Sequence, residues 1–405
     1  MRVLICNDFV RNFGGTDVMV RMEERALRHL GHHVGYFALS NAAFDRARGI
    51  AKAALGASCI YSLPVRRDLR RVLAREYFHV VHVHNTVPFL TGAVYDALRT
   101  SPAIVIQHLH NHRAFCLSGY AFRAGHACDA CSSTAFAACA AYRCYHDSFV
   151  ESAALTAARW VDSARGRPLG FEAHAFIANS RYTKSEHVRR GFPEERIRVI
   201  ENAAEDLATL RSVVPESELP PAGKLTYVGS LLRAKGVFAL LDVAEAMPDW
   251  TVQIIGTGPD EAALRREAAA RRLGNVCFTG FLTRAAKASA WADSFATLVP
   301  SLWRESFGLV AAESFSLSVP VVTTGAGGLA EIVDEGVTGH VRGFNDPRDV
   351  AGVLRALWGA PERAAEMKRA ARRTYERRFS ADAFTERFAA AQARILAEPR
   401  RPVWR

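Results

Sequence analysis

Short apolar runs alternate with amphipathic stretches along most of the chain. Val3–Cys6 reads as a buried strand, and His33–Phe37 as a second. Between them, Asp17–Leu30 carries Val20, Leu27 and Leu30 at helical spacing. Further strands are predicted at Val80–His84, Ala103–Gln107, Ala175–Ala178 and Ile197–Ile200, and Ser180 is placed to cap a helix running to Arg190. Polarity and proline then rise between Glu205 and Gly223, with Pro215, Pro220 and Pro221, which marks a domain boundary. A second alternating run follows, with strands at Leu225–Val228, Thr251–Ile255, Val276–Thr279, Ala296–Val299 and Val319–Thr323. Its helices fall near Val237–Ala246, Asp260–Leu273, Phe307–Leu317 and Pro347–Trp358. Apolar strands spaced by helices form parallel sheets covered on both faces. The pattern therefore predicts an α/β protein of two Rossmann-like, doubly wound domains, residues 1–205 and 206–380. A last helix near Ala381–Leu396 puts Phe384, Phe388, Ala391 and Ile395 on one face, and we expect that face to pack back on the first domain.

Composition adds limits. Of 405 residues, 49% are apolar and 23% charged, which is globular usage and excludes disorder as the default. No apolar run reaches the ~18 residues of a membrane span. The N-terminus lacks the apolar core of an export signal, so a cytoplasmic protein is expected. A net charge of +11 suits anionic partners, either phosphorylated substrates or an anionic membrane surface. No zinc finger, RNP-like aromatic motif or compact Lys/Arg block is present, so nucleic acid is not an expected partner.

Three segments carry candidate chemistry. Gly14-Gly15-Thr16 joins the first strand to the first helix, where glycine lets the backbone approach a ligand and a helix N-terminus favours anions; an ordinary loop reads equally well. Gly229-Ser230-Leu231-Leu232-Arg233-Ala234-Lys235-Gly236 follows the first strand of the second domain, whose C-terminal end opens on the ligand crevice of a doubly wound sheet. Arg233 and Lys235 would there put two positive charges beside a diphosphate. Glu305-Ser306-Phe307-Gly308-Leu309-Val310-Ala311-Ala312-Glu313 places two glutamates eight positions apart around a helix start, with Glu313 expected about two turns inside. Gly308 permits close backbone approach, and a carboxylate at Glu313 can accept both hydroxyls of a ribose.

Together these segments resemble the retaining glycosyltransferases of family four (glycosyl transferases group 1), which have the GT-B fold. The resemblance extends through Ala178-Asn179-Ser180, Ile200-Glu201-Asn202, Gly256-Thr257-Gly258-Pro259, the E-x7-E motif at Glu305–Glu313, and Gly325-Ala326-Gly327-Gly328 with Glu331. It implies two domains facing each other across a cleft, a nucleotide-sugar donor, a saccharide or lipid-linked acceptor, and no catalytic cofactor. It further implies that Arg233 and Lys235 hold the donor diphosphate, that Glu305 and the backbone of Phe307, Gly308 and Leu309 meet the donor sugar, and that Glu313 holds the ribose. His110 matches a family histidine near the anomeric centre, and Gly15 one that approaches the donor. Glu201-Asn202-Ala203-Ala204 stands where many relatives have a Pro-Asn-Gly turn. Cell-surface polysaccharide or glycoconjugate synthesis is the expected setting. A nucleotide-sugar epimerase and a non-catalytic nucleotide-sugar-binding scaffold are the rival readings.

Of eight cysteines, five fall between Cys116 and Cys144, in an insert spanning about residues 113–150. Cys128 and Cys131 form a C-x2-C pair, and with Cys116 and Cys144 they could make a tetrahedral structural zinc site; reduced, partly buried thiols are the alternative. His82 and His84, and His108, His110 and His112, alternate so as to share a sheet face, a pattern more typical of hydrogen-bonded side chains than of a catalytic metal. Ser148–Ala164, with Phe149, Leu155, Trp160 and Val161, and the basic end Arg400–Arg405 could touch the inner face of a membrane if the acceptor is lipid-linked.

Overall fold

The computed structural model describes residues 1–9, 15–40, 57–131, 136–167, 171–210 and 223–399. Gly14 and the Arg400–Arg405 tail lie outside the described residues. The chain divides into two compact units, one of residues 1–123, 128–201 and 384–405, the other of 124–127 and 202–383.

The first unit is built on β1 (Arg2–Phe9), α1 (Gly15–His29), β2 (His33–Ser40), α2 (Leu63–Arg75), β3 (Val80–Val83), α3 (Ala93–Leu98) and β4 (Ile104–Leu109). After β4 come α4 (Ala137–Ala141), α5 (Phe149–Ala164), β5 (Ala175–Ala178), α6 (Arg181–Val188) and β6 (Ile197–Val199). The sheet runs β2-β1-β3-β4-β5-β6 with every pair parallel. All residues of β3, β4 and β5 are buried, His82, Gln107 and His108 included, so these strands show no alternation of buried and exposed positions. Ser180 caps α6, its hydroxyl accepting the Thr183 N–H at 2.9 Å, and Ser148 caps α5 in the same way.

The second unit runs β7 (Lys224–Val228), α7 (Ala239–Ala246), β8 (Thr251–Ile255), α8 (Glu261–Ala270), β9 (Val276–Gly280), α9 (Arg284–Ala292) and β10 (Ala296–Val299). It continues through α10 (Leu309–Ser316), β11 (Val321–Thr323), β12 (Gly339–Val341), α11 (Pro347–Trp358) and α12 (Pro361–Thr374). Its sheet order is β9-β8-β7-β10-β11-β12, again all parallel. This is the doubly wound 3-2-1-4-5-6 arrangement, with a topological switch between β7 and β10. A core of Leu225, Val252, Ile254, Leu298, Leu240 and Leu264 seals one face. Phe307, Phe315, Leu329, Tyr375 and Phe379 pack together in a second cluster.

A single π-helical turn, Tyr375–Phe379, follows α12, and α13 (Ala381–Ala397) ends the described chain. From Phe384 onward the chain clusters with the first unit, where the Phe388 ring lies 5.5 Å from that of His82. Its buried residues are Phe384, Phe388, Gln392 and Ile395, so Gln392 takes the place expected for Ala391. Among the described residues no helix is long and apolar enough to cross a membrane.

Candidate functional site

In the second unit the switch point gathers the expected residues. The loop after β7 makes a 3-10 turn over Arg233–Lys235, and the loop after β10 carries Ser301, Trp303 and Glu305. The Lys235 ammonium donates to Glu305 Oε1 at 2.6 Å and lies 4.6 Å from the centre of the Trp303 ring. Ser301 Oγ donates to the same carboxylate oxygen at 2.8 Å. Glu305 is buried, and its main chain is tied to the glycine-rich loop beyond β11, with Gly328 N–H donating to its carbonyl at 2.7 Å. A Cβ on Gly327 would stand 2.4 Å from that same carbonyl, so only glycine lets the two loops meet.

Arg233 is arranged differently. Its side chain is 70% exposed, its guanidinium lies 4.3 Å from the Phe238 ring centre, and its backbone N–H donates to Asp260 Oδ2 at 2.7 Å. Phe307 is buried in the core, so it can offer a ligand only its main chain, while Leu309 is partly exposed. Gly308 has φ +107° and caps α10. Because this left-handed residue ends the loop, the helix starts at Leu309, and Glu313 lies one turn inside it rather than the two expected. The Glu313 carboxylate is paired with Lys287 of α9 at 2.9 Å.

In the first unit His82, His84, His108 and His110 share one face at the C-terminal ends of β3 and β4, as the alternation predicts, but His112, expected with them, sits in a 3-10 turn (His112–Ala114) and packs against Phe115 and Tyr182 instead. His84 and His110 are hydrogen-bonded through ring nitrogens at 2.8 Å, and His82 and His108 at 2.9 Å. Glu23 of α1 lies beneath them, fully buried, within 3.0 Å of His82, 3.2 Å of His108 and 3.4 Å of His84. Burial alone would raise the Glu23 carboxyl, but the His108, His82 and His84 rings outweigh it and hold the group well below the usual carboxylate range. Loss of water, with His84 alongside, pushes His110 down to about 3, so its imidazole stays neutral at ordinary pH. Two sets of these groups, His84/His108/His110 and Glu23/His82/His108, lie close enough together to hold a metal ion. In each His–His bond one nitrogen donates and the other accepts, which is the hydrogen-bonded reading of the pattern.

His84, His110, Asn111, Arg113 and Arg159 also line a cavity of about 60 Å³ within this unit. Gly15 opens α1 and is exposed. Glu23 had a readable signal, since it sits on the stripe of Met19, Ala26 and Leu27 where an acid is out of place. Lys287, Asp260 and Trp303 had none, because each reaches its partner from a distant part of the chain.

Two family models match the chain: Glycosyltransferase Family 4 over residues 13–206 and Glycosyl transferases group 1 over residues 217–374. The chain belongs to this glycosyltransferase family. Over 160 residues it is 34% identical to O-antigen chain mannosyltransferase C of Escherichia coli, a match covering 38% of this chain and 42% of that one. It is also 34% identical over 157 residues to a D-rhamnosyltransferase of Pseudomonas aeruginosa, covering 38% and 41%. The matching stretch thus spans about two-fifths of these curated relatives. Among solved structures, Anabaena HepE in complex with UDP and glucose superposes with a TM-score of 0.68 at 17% identity, covering 97% of this chain and all of that one. Sucrose-phosphate synthase from Thermosynechococcus elongatus gives 0.71 at 19% identity, covering 98% and 99%. These likenesses show the GT-B fold class for this family member, two Rossmann-like units with parallel sheets.

Proposed function

We propose that this family member transfers a sugar from a nucleoside diphosphate sugar to a hydroxyl acceptor with retention of configuration, in the synthesis of a cell-surface polysaccharide or related glycoconjugate. The observation that carries the reading is the meeting of Lys235 and Glu305 at the switch point of the second sheet. The names of the relatives, which include an O-antigen mannosyltransferase and a rhamnosyltransferase, support it. So does the UDP bound to HepE.

In this reading Lys235 and Arg233 take the diphosphate, Glu305 and the main chain at Phe307–Leu309 take the sugar, and Glu313 takes the ribose. His110, neutral, hydrogen-bonds the sugar near its anomeric carbon, and Gly15 borders the donor. The acceptor oxygen bonds the anomeric carbon. The bond from that carbon to the phosphate oxygen breaks, its electron pair leaves on the diphosphate, and the acceptor proton goes to that departing group. Cationic side chains held in place before reaction stabilise the charge that develops, each worth ~2.7–4 kcal/mol. No catalytic metal is assigned. Of the residues expected there, Phe149 and Trp160 are exposed on α5 and are assigned to peripheral contact with a membrane carrying a lipid-linked acceptor, whereas Leu155 is buried in the apolar cluster with Leu117 and Phe136.

The test is thermal stability with UDP-, GDP-, ADP- and dTDP-sugars in EDTA, for the wild type and Glu313→Ala. A donor at 100 times its Kd stabilises by ~2.7 kcal/mol. A rise in Tm with one nucleotide class, absent in the variant, is expected. No rise with any of the four would overturn the nucleotide-sugar reading.

A further inference from the structure

The five cysteines of the insert converge. Cys116, Cys128, Cys131, Cys139 and Cys144 all line a single cavity of about 20 Å³, and all are free thiols. That volume admits one water-sized body. Ser118, Arg123 and Tyr142 also line it, but five thiols in one wall are the donor set of a borderline-soft metal ion such as zinc.

The surrounding chain is poor in other sources of order. Its apolar cluster has Leu117, Phe136, Cys139 and Leu155 as its only fully buried members among the described residues. Yet Ala121, Ala124, Arg143, His146 and Asp147 all hold left-handed φ between +46° and +54°. Such conformations cost about 1–3 kcal/mol each and persist only where something else fixes the chain. Polar groups already face one of the sulfurs. Ala121 N–H points at Cys116 Sγ at 3.3 Å, and Ser118 Oγ lies 3.2 Å from the same sulfur. The Cys128 N–H donates to Ala121 O at 2.8 Å, fixing the C-x2-C pair beside Cys116.

We propose that Cys116, Cys128, Cys131 and Cys144 bind one structural zinc ion that cross-links this insert. Cys139 is not a ligand. It is buried in the apolar cluster with Phe136, Leu117 and Leu155. Arg123, which lines the same cavity and lies over the Tyr142 ring at 3.8 Å, offsets the net negative charge of a zinc ion with four thiolates. Among the described residues no three of these sulfurs yet lie within 4.8 Å of one another. Binding therefore draws them inward, and one χ1 step moves a cysteine sulfur by about 3 Å. The ion displaces four thiol protons and changes no oxidation state.

The experiment is zinc analysis of the full chain purified under reducing conditions, with cobalt(II) substitution read by its thiolate charge-transfer absorption. One zinc per chain is expected, falling at least tenfold in Cys131→Ser and Cys144→Ser and unchanged in Cys277→Ser, a thiol outside the insert. Should the two insert variants fail to fold, the wild type is stripped with a strong chelator. Its Tm should drop and recover on adding zinc alone. Reduced wild type holding less than a tenth of a zinc per chain and giving no cobalt–thiolate band would overturn the proposal, as would full zinc in both insert variants or a Tm indifferent to the chelator.

Discussion

Lys235 illustrates how one side chain carries a site. Its ammonium is only 24% exposed and is held between a carboxylate and an indole face, so it is placed before any ligand arrives. Removing it leaves Glu305, among the described residues, with the Ser301 hydroxyl as its one hydrogen-bonding side chain. We expect Lys235→Ala to lower kcat/KM at least tenfold, ~1.4 kcal/mol or more of transition-state stabilisation, with the fold intact. Unchanged steady-state kinetics would remove Lys235 from the diphosphate site. Both residues were legible, because a basic turn after a first strand and an acid before a helix are sequence patterns. Their contact across 70 positions was not. The same holds for Glu313, whose glutamate stood out but whose Lys287 partner did not.

At the scale of elements, strands were the most readable. Mostly apolar four-residue runs such as Val80–Val83 and Ala296–Val299 are buried on both faces, even at His82 and Thr297. Helices α2, α9 and α12 were missed. They are short of strong apolar residues, with Val65 and Leu69, Ala288 and Trp291, and Ala364 and Met367 among their few buried side chains. The start of α10 shows why exact helix bounds resist reading. Gly308 adopts φ +107°, and a Cβ there would lie 2.3 Å from Leu329 Cδ2. Gly308→Ala should therefore lower stability by about 1–3 kcal/mol through left-handed strain and overpacking. A urea midpoint equal to wild type would show that the loop relaxes without cost.

At the scale of the whole molecule, buried ionisable groups set the response to acid. His110 and His187 fall from the ordinary 6.5 to about 3 through burial. Their contribution to stability is complete above 6.5 and is lost as pH falls toward 3. Asp8 works in the opposite sense. Burial raises it from 3.8 to about 6, against the Phe89 and Leu90 N–H groups that its Oδ2 accepts. Its contribution is present below 3.8 and lost as pH rises through 6. Two histidines with the larger shifts outweigh one aspartate, so Tm should fall between pH 7 and pH 4. Asp8→Asn, which removes the opposing group, should make that fall steeper. A Tm profile flat over this range would mean that these groups are solvated in solution.

The sequence by itself determined the fold class, most of the strands in each half, and the residue types that mark a donor site. These depend on periodicity, on glycine where backbones must approach, and on charge beside strand ends, all of which are local properties. Tertiary structure decided what each marked residue touches. Only folding brings Lys235 to Glu305, sets Glu23 beside His82, His84 and His108, and gathers cysteines up to 28 positions apart around one cavity. The physical reason is range. Patterning is fixed by neighbours along the chain. Pairing in a buried site is fixed by which strands lie side by side, and that order is settled by burying the whole sheet at once.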